Sequence, residues 1–302
     1  MILTVTPNPA IDLTYRVAAL EPGETHRVAP PAARAGGKGL NVARVIAQTG
    51  GASFVLTTAG GASGLRLADD LEASGLPSEL IPVAAPTRSS VAIVDEGSGV
   101  ATIFNETGAG LTPAEWIALR EAVERLAVPA TAIVGSGSLP PGAPEGFYAD
   151  LVEAARRRGV PSVVDASGTA LLAAAEAGAD VLKPNRRELA DTVGSDDPVA
   201  GARVLLSAGA GLVLVSLGAD GMLAVGESRT WSARLPRPLA GNATGAGDAA
   251  VAAIATALAA GTTDPAILVR RATAWSAAAV VAPLAGELDP AYPDYEARLV
   301  TS

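Results

Sequence analysis

Residues 242–260 read NATGAGDAAVAAIATALAA. Two glycines and an aspartate (Gly245, Gly247 and Asp248) run into a twelve-residue apolar, alanine-rich segment. Helix formers fill nearly every position of that segment, so Asp248 falls in or beside a helix's first turn. The first amides of a helix have no internal partner, and the macrodipole adds partial positive charge there. Glycine lets an anion approach such amides closely. A carboxylate at the same place can take a proton from an attacking hydroxyl. An anion cradle beside a base is what phosphoryl transfer to an alcohol requires. The same residues also read as a Gly-rich loop with an aspartate cap.

Outward from this stretch, apolar β-type runs alternate with helical patterns. The runs predict strands over 2–6, 53–58, 131–135, 162–165, 181–183 and 212–216. Helices are predicted over 40–48, 64–74, 113–126, 145–158, 170–177, 187–193, 199–207, 249–260 and 265–281. Strands separated by helices argue for βαβ units and a mostly parallel sheet covered on both faces, an α/β fold. Residues 12–28 and 88–104 depart from this pattern. They read as short strands with little helix between them, either a small separate sheet or edge hairpins. Ligands of open α/β sheets gather at the carboxyl ends of the strands.

The inventory removes several chemistries. The 302 residues contain no cysteine, which excludes disulfides, thiol nucleophiles and thiolate metal sites and fits a reducing compartment. His26 is the only histidine, so a multi-histidine zinc site is impossible. No charged and apolar leader opens the chain, and the apolar runs near 249–260 and 272–285 are too short to span a bilayer. A soluble, cytoplasmic protein without a membrane partner is expected. Net charge is −9 with a pI of about 4.7, which leaves little for a nucleic-acid-binding face. An acidic protein that binds an anion must concentrate positive charge locally. Only two of the 22 basic residues are lysines, Lys38 in GGKGLN and Lys183 in KPNRRE, and both sit in Gly- or Pro-marked turns.

GGKG lacks the Walker spacing, and GSGSLP has Pro140 where the dinucleotide fingerprint wants glycine, so neither common Gly-rich motif applies. Other residues suit a small polar ligand. Asp12 follows the first strand and suits two sugar hydroxyls, or is a turn aspartate. Gly36 and Gly37 precede a helix, so their amides can face a sugar or phosphate. Asn41 lies in that helix's first turn. Arg88 precedes a strand and can fork onto a phosphate, or is a surface arginine. Asn185 and Glu188 share one side of a helix start. Two oxygen donors there suit Mg²⁺ held through waters, or they simply cap the helix.

Taken in order, NPAIDLTYRV, GGKGLNVARV, SGSLPPG, KPNRREL, LVSLGADG and NATGAGDA resemble the ribokinase-like carbohydrate kinases, in the phosphofructokinase B branch. The likeness runs from Ile2 to at least Val281. It is nearest to 1-phosphofructokinases and tagatose-6-phosphate kinases, whose TxNPAID and GGKGxNVxR openings recur here. The resemblance implies one ribokinase-like kinase domain over 1–302: a three-layer α/β/α body with a β-sheet lid from about 12–28 and 88–104. It implies ATP and Mg²⁺ as cofactors, a sugar phosphate as partner, and a homodimer through the lids. It also implies roles. Asp248 would be the base, with amides of Gly245, Ala246 and Gly247 as the anion hole. Asp12, Gly36, Gly37 and Asn41 would hold the sugar. Lys38 and Arg88, with Arg27 as a weaker candidate, would bind its phosphate. Asn185 and Glu188 would place Mg²⁺ through water. Ser216, Gly218 and Gly221 would contact the nucleotide, with Lys183 nearby. Ala253, Ala250 and the NETGAG turn (105–110) depart from the family's usual residues.

The expected activity is ATP-dependent phosphorylation of a ketohexose phosphate, fructose 1-phosphate first, then tagatose 6-phosphate and fructose 6-phosphate. An unphosphorylated sugar or nucleoside is the alternative within the fold. A non-catalytic sugar-phosphate and nucleotide sensor is the alternative of another class, and a dinucleotide oxidoreductase is more distant.

Overall fold

A computed structural model of the chain describes residues 1–302. The strands are β1 (Ile2–Thr6), β2 (Ala10–Val17), β3 (Ala32–Gly36), β4 (Ser53–Ala59), β5 (Ser78–Pro82), β6 (Arg88–Asp95) and β7 (Ala101–Asn105). They continue with β8 (Ala132–Ser136), β9 (Ser162–Asp165), β10 (Val181–Leu182), β11 (Leu212–Ser216), β12 (Met222–Val225), β13 (Thr230–Arg234) and β14 (Val300–Thr301). The helices are α1 (Lys38–Gln48), α2 (Gly61–Ala73), α3 (Pro113–Leu126), α4 (Phe147–Arg158) and α5 (Thr169–Glu176). After them come α6 (Arg186–Val193), α7 (Pro198–Ala208), α8 (Ala246–Ala259), α9 (Pro265–Val280) and α10 (Tyr292–Tyr295).

Ten strands form one sheet in the order β14-β13-β12-β11-β10-β9-β8-β1-β4-β5. From β11 to β5 every pairing is parallel, and β12 to β14 add an antiparallel edge. Side chains alternate across the central strands, as a strand's twofold period requires. Leu3, Val5, Ile133 and Val164 face a core built with α3 to α7. Ile2, Val134, Val163 and Leu214 face the core of α1, α8 and α9. Each fully buried Leu or Ile side chain there contributes roughly 1.5–3 kcal/mol. Helix α8 is apolar all round because it lies between the sheet, α1 and α9, and its alanines allow close approach.

The predicted three-layer α/β/α body is present. Several helix starts differ from expectation, and two of them bear on the cleft: α1 begins at Lys38 and α8 at Ala246, each after a glycine with positive φ (Gly37 at 123°, Gly245 at 86°). Those glycines let the chain turn sharply from strand or loop into a helix, and this puts Lys38 and Asp248 inside the first turns.

The lid is a separate four-stranded sheet in the order β3-β2-β6-β7. Of the short strands expected within 12–28 one is present, β2 (Ala10–Val17), and residues 18–31 carry no strand. Its partner β3 (AARAG) carries no strand signal of its own, because Ala and Gly are depleted in strands. Pairing with β2, which sets Asp12 opposite Arg34, makes it a strand. Strands β5, β12, β13 and β14 also lie outside the predicted runs, with β12 and β13 forming a hairpin at the antiparallel edge.

Candidate active site

A cleft of ≈ 1450 Å³ opens between the carboxyl ends of the parallel strands and the lid. Every residue singled out from sequence lines it except Gly36 and Arg27. Gly36 acts from behind: a Cβ there would overlap the Asp12 carboxylate, so glycine is what lets Asp12 occupy its position. Arg27 lies in the exposed 18–31 loop, away from the cleft of its own chain.

Two helix N-termini, α1 and α8, open into this cleft side by side. At α8 the amides of Gly245, Gly247 and Asp248 make no hydrogen bond within the chain. The Ala246 amide donates to the Ala243 carbonyl at 3.1 Å, so the donor set is Gly245, Gly247 and Asp248 rather than one that includes Ala246. At α1 the amides of Lys38 and Gly39 are likewise unpaired.

Asp248 is 6% exposed. Its Oδ2 accepts a hydrogen bond from Asn41 Nδ2 at 2.8 Å, so Asn41 orients this carboxylate. Burial, then the nearby Asp165 charge, push the Asp248 carboxyl from 3.8 up to about 6, against Lys38, Asn41 and Lys183. A carboxylate of that basicity is ionised at neutral pH and a better proton acceptor than an ordinary aspartate.

Opposite it stands an acid the sequence reading missed. Asp165, at the end of β9, is 1% exposed. Its Oδ1 meets Lys38 Nζ at 3.2 Å and Lys183 Nζ at 3.7 Å. Burial opposes its charge, yet Lys183 and Lys38 together hold its carboxyl below the usual range. An acid ending a predicted strand at the ligand-binding edge of an α/β sheet was the available signal. Lys38 also pairs with Glu188 at 3.3 Å. Burial disfavours its charge, but Asp165, Glu188 and Asp248 overcome this and raise its pKa. Lys38 thus stands between Asp165 and Glu188, in the same cleft as Asp12 and Arg88. Lys183, 2% exposed, lies beneath the α8 turn, with its Nζ 3.3 Å from where a Cβ on Gly247 would be.

Asn185 and Glu188 form a reciprocal capping box at α6: Glu188 N donates to Asn185 Oδ1 at 2.8 Å, and Asn185 N to Glu188 Oε2 at 2.9 Å. The capping role is thus real, and Glu188 Oε1 still reaches Lys38. Ser216, at the end of β11, is bridged to Asn185, and Gly218 and Gly221 form the turn beyond it.

On the lid side, burial pushes the Asp12 carboxyl up to about 6, opposed by Arg88, Arg44, Ser90 and Arg34. Arg88 donates from Nε and Nη2 to the Asn8 carbonyl and from Nη1 to the Glu106 carbonyl. Two of its five N–H groups remain for a ligand. Asn8, also unread from sequence, ties this corner together by donating from Nδ2 to the Thr107 carbonyl and to Ser138 Oγ.

Unpaired helix amides and a basic carboxylate sharing one cleft in a three-layer α/β/α fold belong to a phosphotransferase with an alcohol acceptor. The sequence profile of the pfkB family of carbohydrate kinases matches residues 5–291, and the chain belongs to that family. It is 37% identical over 267 residues to the ATP-dependent 6-phosphofructokinase isozyme 2 of Mycobacterium tuberculosis, covering 86% of this chain and 78% of that protein. It resembles Escherichia coli phosphofructokinase-2 in complex with fructose-6-phosphate at a TM-score of 0.88, with 32% identity and 98% of each chain covered. The tetrameric inhibited form of that enzyme superposes with a TM-score of 0.89 at the same identity and coverage. The fold is also that of a Thermotoga maritima ribokinase, with a TM-score of 0.74, 23% identity and 98% of each chain covered. No helix is long and apolar enough to cross a membrane.

Proposed function

We propose that the protein transfers the γ-phosphoryl group of ATP to the free primary hydroxyl of fructose 1-phosphate, giving fructose 1,6-bisphosphate. The observation that carries this reading is Asp248: buried, basic, held by Asn41, and one residue from unpaired amide donors. Asp248 takes the proton of the attacking hydroxyl as its oxygen bonds to phosphorus. The bridging P–O bond breaks, ADP leaves with that electron pair, and Asp248 returns its proton to solvent. The amides of Gly245, Gly247 and Asp248 meet the charge that develops on the transferring group. Lys38 and Lys183 steady the same charge from the Asp165 side. Asp12 holds sugar hydroxyls and Arg88 the existing phosphate. Ser216, Gly218 and Gly221 border the nucleotide.

Magnesium fits this donor set. Asp165 Oδ2 is buried without a hydrogen-bond partner, and Glu188, which shares Lys38 with Asp165, lines the same cleft. Two hard oxygen donors, with Asn185 beside them, suit an ion that keeps its waters and shares nucleotide phosphates. When bound it supplies charge neutralisation at those phosphates.

The likeness of the TxNPAID and GGKGxNVxR openings to those of 1-phosphofructokinases favours fructose 1-phosphate. The 6-phosphofructokinase relatives at 37% and 32% identity favour fructose 6-phosphate as the second reading. Both acceptors yield the same bisphosphate. An ADP-release assay with fructose 1-phosphate, fructose 6-phosphate, tagatose 6-phosphate, free fructose and a nucleoside separates them. The highest kcat/KM should fall on fructose 1-phosphate. Preference for free fructose refutes the phosphate subsite, and no ADP with any acceptor points to a sensor.

A homodimer through the lids accounts for the apolar surface on edge strand β7 and its turn, where Val100, Ile103 and Phe104 are exposed. It would also give the exposed Arg27 loop a partner to face. Light scattering should report two copies, and Phe104→Asp should report one. A monomeric wild type refutes this assembly.

A further inference from the structure

One lid residue reaches across to the phosphoryl side of the cleft. Arg34 lies on β3, directly opposite Asp12 of β2. Its Nη1 donates to the Ala285 carbonyl at 3.1 Å and to Glu287 Oε1 at 3.0 Å. Both acceptors belong to the loop between α9 and α10. That loop walls the anion cradle: the Ala285 Cα is 3.0 Å from where a Cβ on Gly245 would sit. Its next residue, Gly286, packs on Asn41, with Asn41 Oδ1 3.0 Å from a Cβ placed there. Asn41 is the partner of Asp248. One guanidinium thus joins the strand paired with the sugar carboxylate to the loop that shapes both the donor glycine and the base's partner.

The neighbouring cation makes its hydrogen bonds elsewhere. Arg44 is committed to Asp70 at 2.6 Å, to the Ala35 carbonyl at 2.9 Å and to Ser74 at 3.0 Å. Arg34 and Glu287 are each about one-quarter to one-third exposed, so the contact is neither sealed in the core nor fully in solvent. Arg34 is carried by the lid and both of its acceptors by the body, so lifting β3 would break the contact. A ligand that seats the lid therefore stabilises the loop, and a ligand that orders the loop stabilises the lid. Such differential contact is what coupling between two sites requires.

We propose that Arg34 is a positioning residue that couples sugar-phosphate binding under the lid to nucleotide-phosphate binding at the α8 turn, on the kinase reading given above. Isothermal titration of the full-length protein with fructose 1-phosphate, with and without Mg²⁺ and a non-hydrolysable ATP analogue, reads this coupling. The analogue should tighten sugar-phosphate binding to wild type by about 10-fold, within the usual range for coupled sites. In Arg34→Met each ligand alone should bind within about twofold of wild type while the mutual tightening disappears. Arg34→Lys should restore it, because a single nitrogen serves both acceptors. Glu287→Ala, from the other side of the contact, should weaken it.

Tightening retained in Arg34→Met, or absent from wild type that binds both ligands, overturns the coupling role. A tenfold or so loss of sugar-phosphate binding alone with tightening intact would make Arg34 a direct ligand and overturn it too. No binding of any ketohexose phosphate to wild type that still binds the analogue overturns the acceptor assignment and this inference with it.

Discussion

Replacing Asp248 by asparagine should stabilise the folded protein. Burial first, then Asp165, lift the Asp248 carboxyl from 3.8 to about 6, against Lys38, Asn41 and Lys183. The folded state therefore holds this proton more tightly than the unfolded chain does. The contribution of this group to folding stability falls as pH rises from about 4 to 6, and above that window the whole cost of its buried charge is present. A shift of about 2 units at 1.36 kcal/mol each comes to about 3 kcal/mol at neutral pH. Asparagine removes the charge, keeps nearly the same shape and still offers Oδ1 to Asn41. Urea unfolding followed by tryptophan fluorescence should show Asp248→Asn gaining about 2–3 kcal/mol near pH 7.5 and about half that near pH 5. The position trades stability for a basic carboxylate. Destabilisation at both pH values, or a gain independent of pH, refutes the claim that the ionised Asp248 is held at a cost.

Three further outcomes follow from the same geometry. Asp12 and Asp248 both titrate at about 6, so kcat/KM should fall below that pH with a logarithmic slope approaching two. A flat profile between about pH 5 and 7 contradicts one or both assignments. Gly36→Ala should displace the Asp12 carboxylate and raise the sugar-phosphate KM by roughly 10-fold or more, with the ATP KM nearly unchanged; equal rises in both count against Asp12 as the sugar contact. Lys38→Met strips Asp165 and Glu188 of a shared ammonium and should lower kcat by about 10²-fold. A loss confined to the sugar-phosphate KM would instead place Lys38 on that phosphate.

Much of the fold was legible because local signals agree with the tertiary outcome. The alanine-rich run after GAGD is helical by propensity and apolar all round, and the structure buries it on all sides as α8. Thr112 and Glu115 form a capping box that starts α3 at the expected residue. Strand β3 was not legible, since AARAG pairs only because β2 lies beside it. The candidate site divides in the same way. Glycine-marked turns pointed to Lys38, Asn41 and Asp248 separately. That Asn41 hydrogen-bonds Asp248 joins residues 207 positions apart, and no local pattern encodes it. Asp165 was read as a strand end, and its role rests on two lysines from other elements. Arg34 meets Glu287 across 253 positions, so each reads alone as a surface charge. Residue types and turns announce the chemistry available, whereas partners depend on which strand ends the topology brings together.

Turnover of Asp248→Ala, measured beside its affinity for the ATP analogue and for fructose 1-phosphate, tests the central assignment most directly. With Asp248 as the base, kcat should fall by roughly 10²–10⁴-fold while both affinities stay within about threefold of wild type. A variant that binds both ligands and turns over at near the wild-type rate would contradict it.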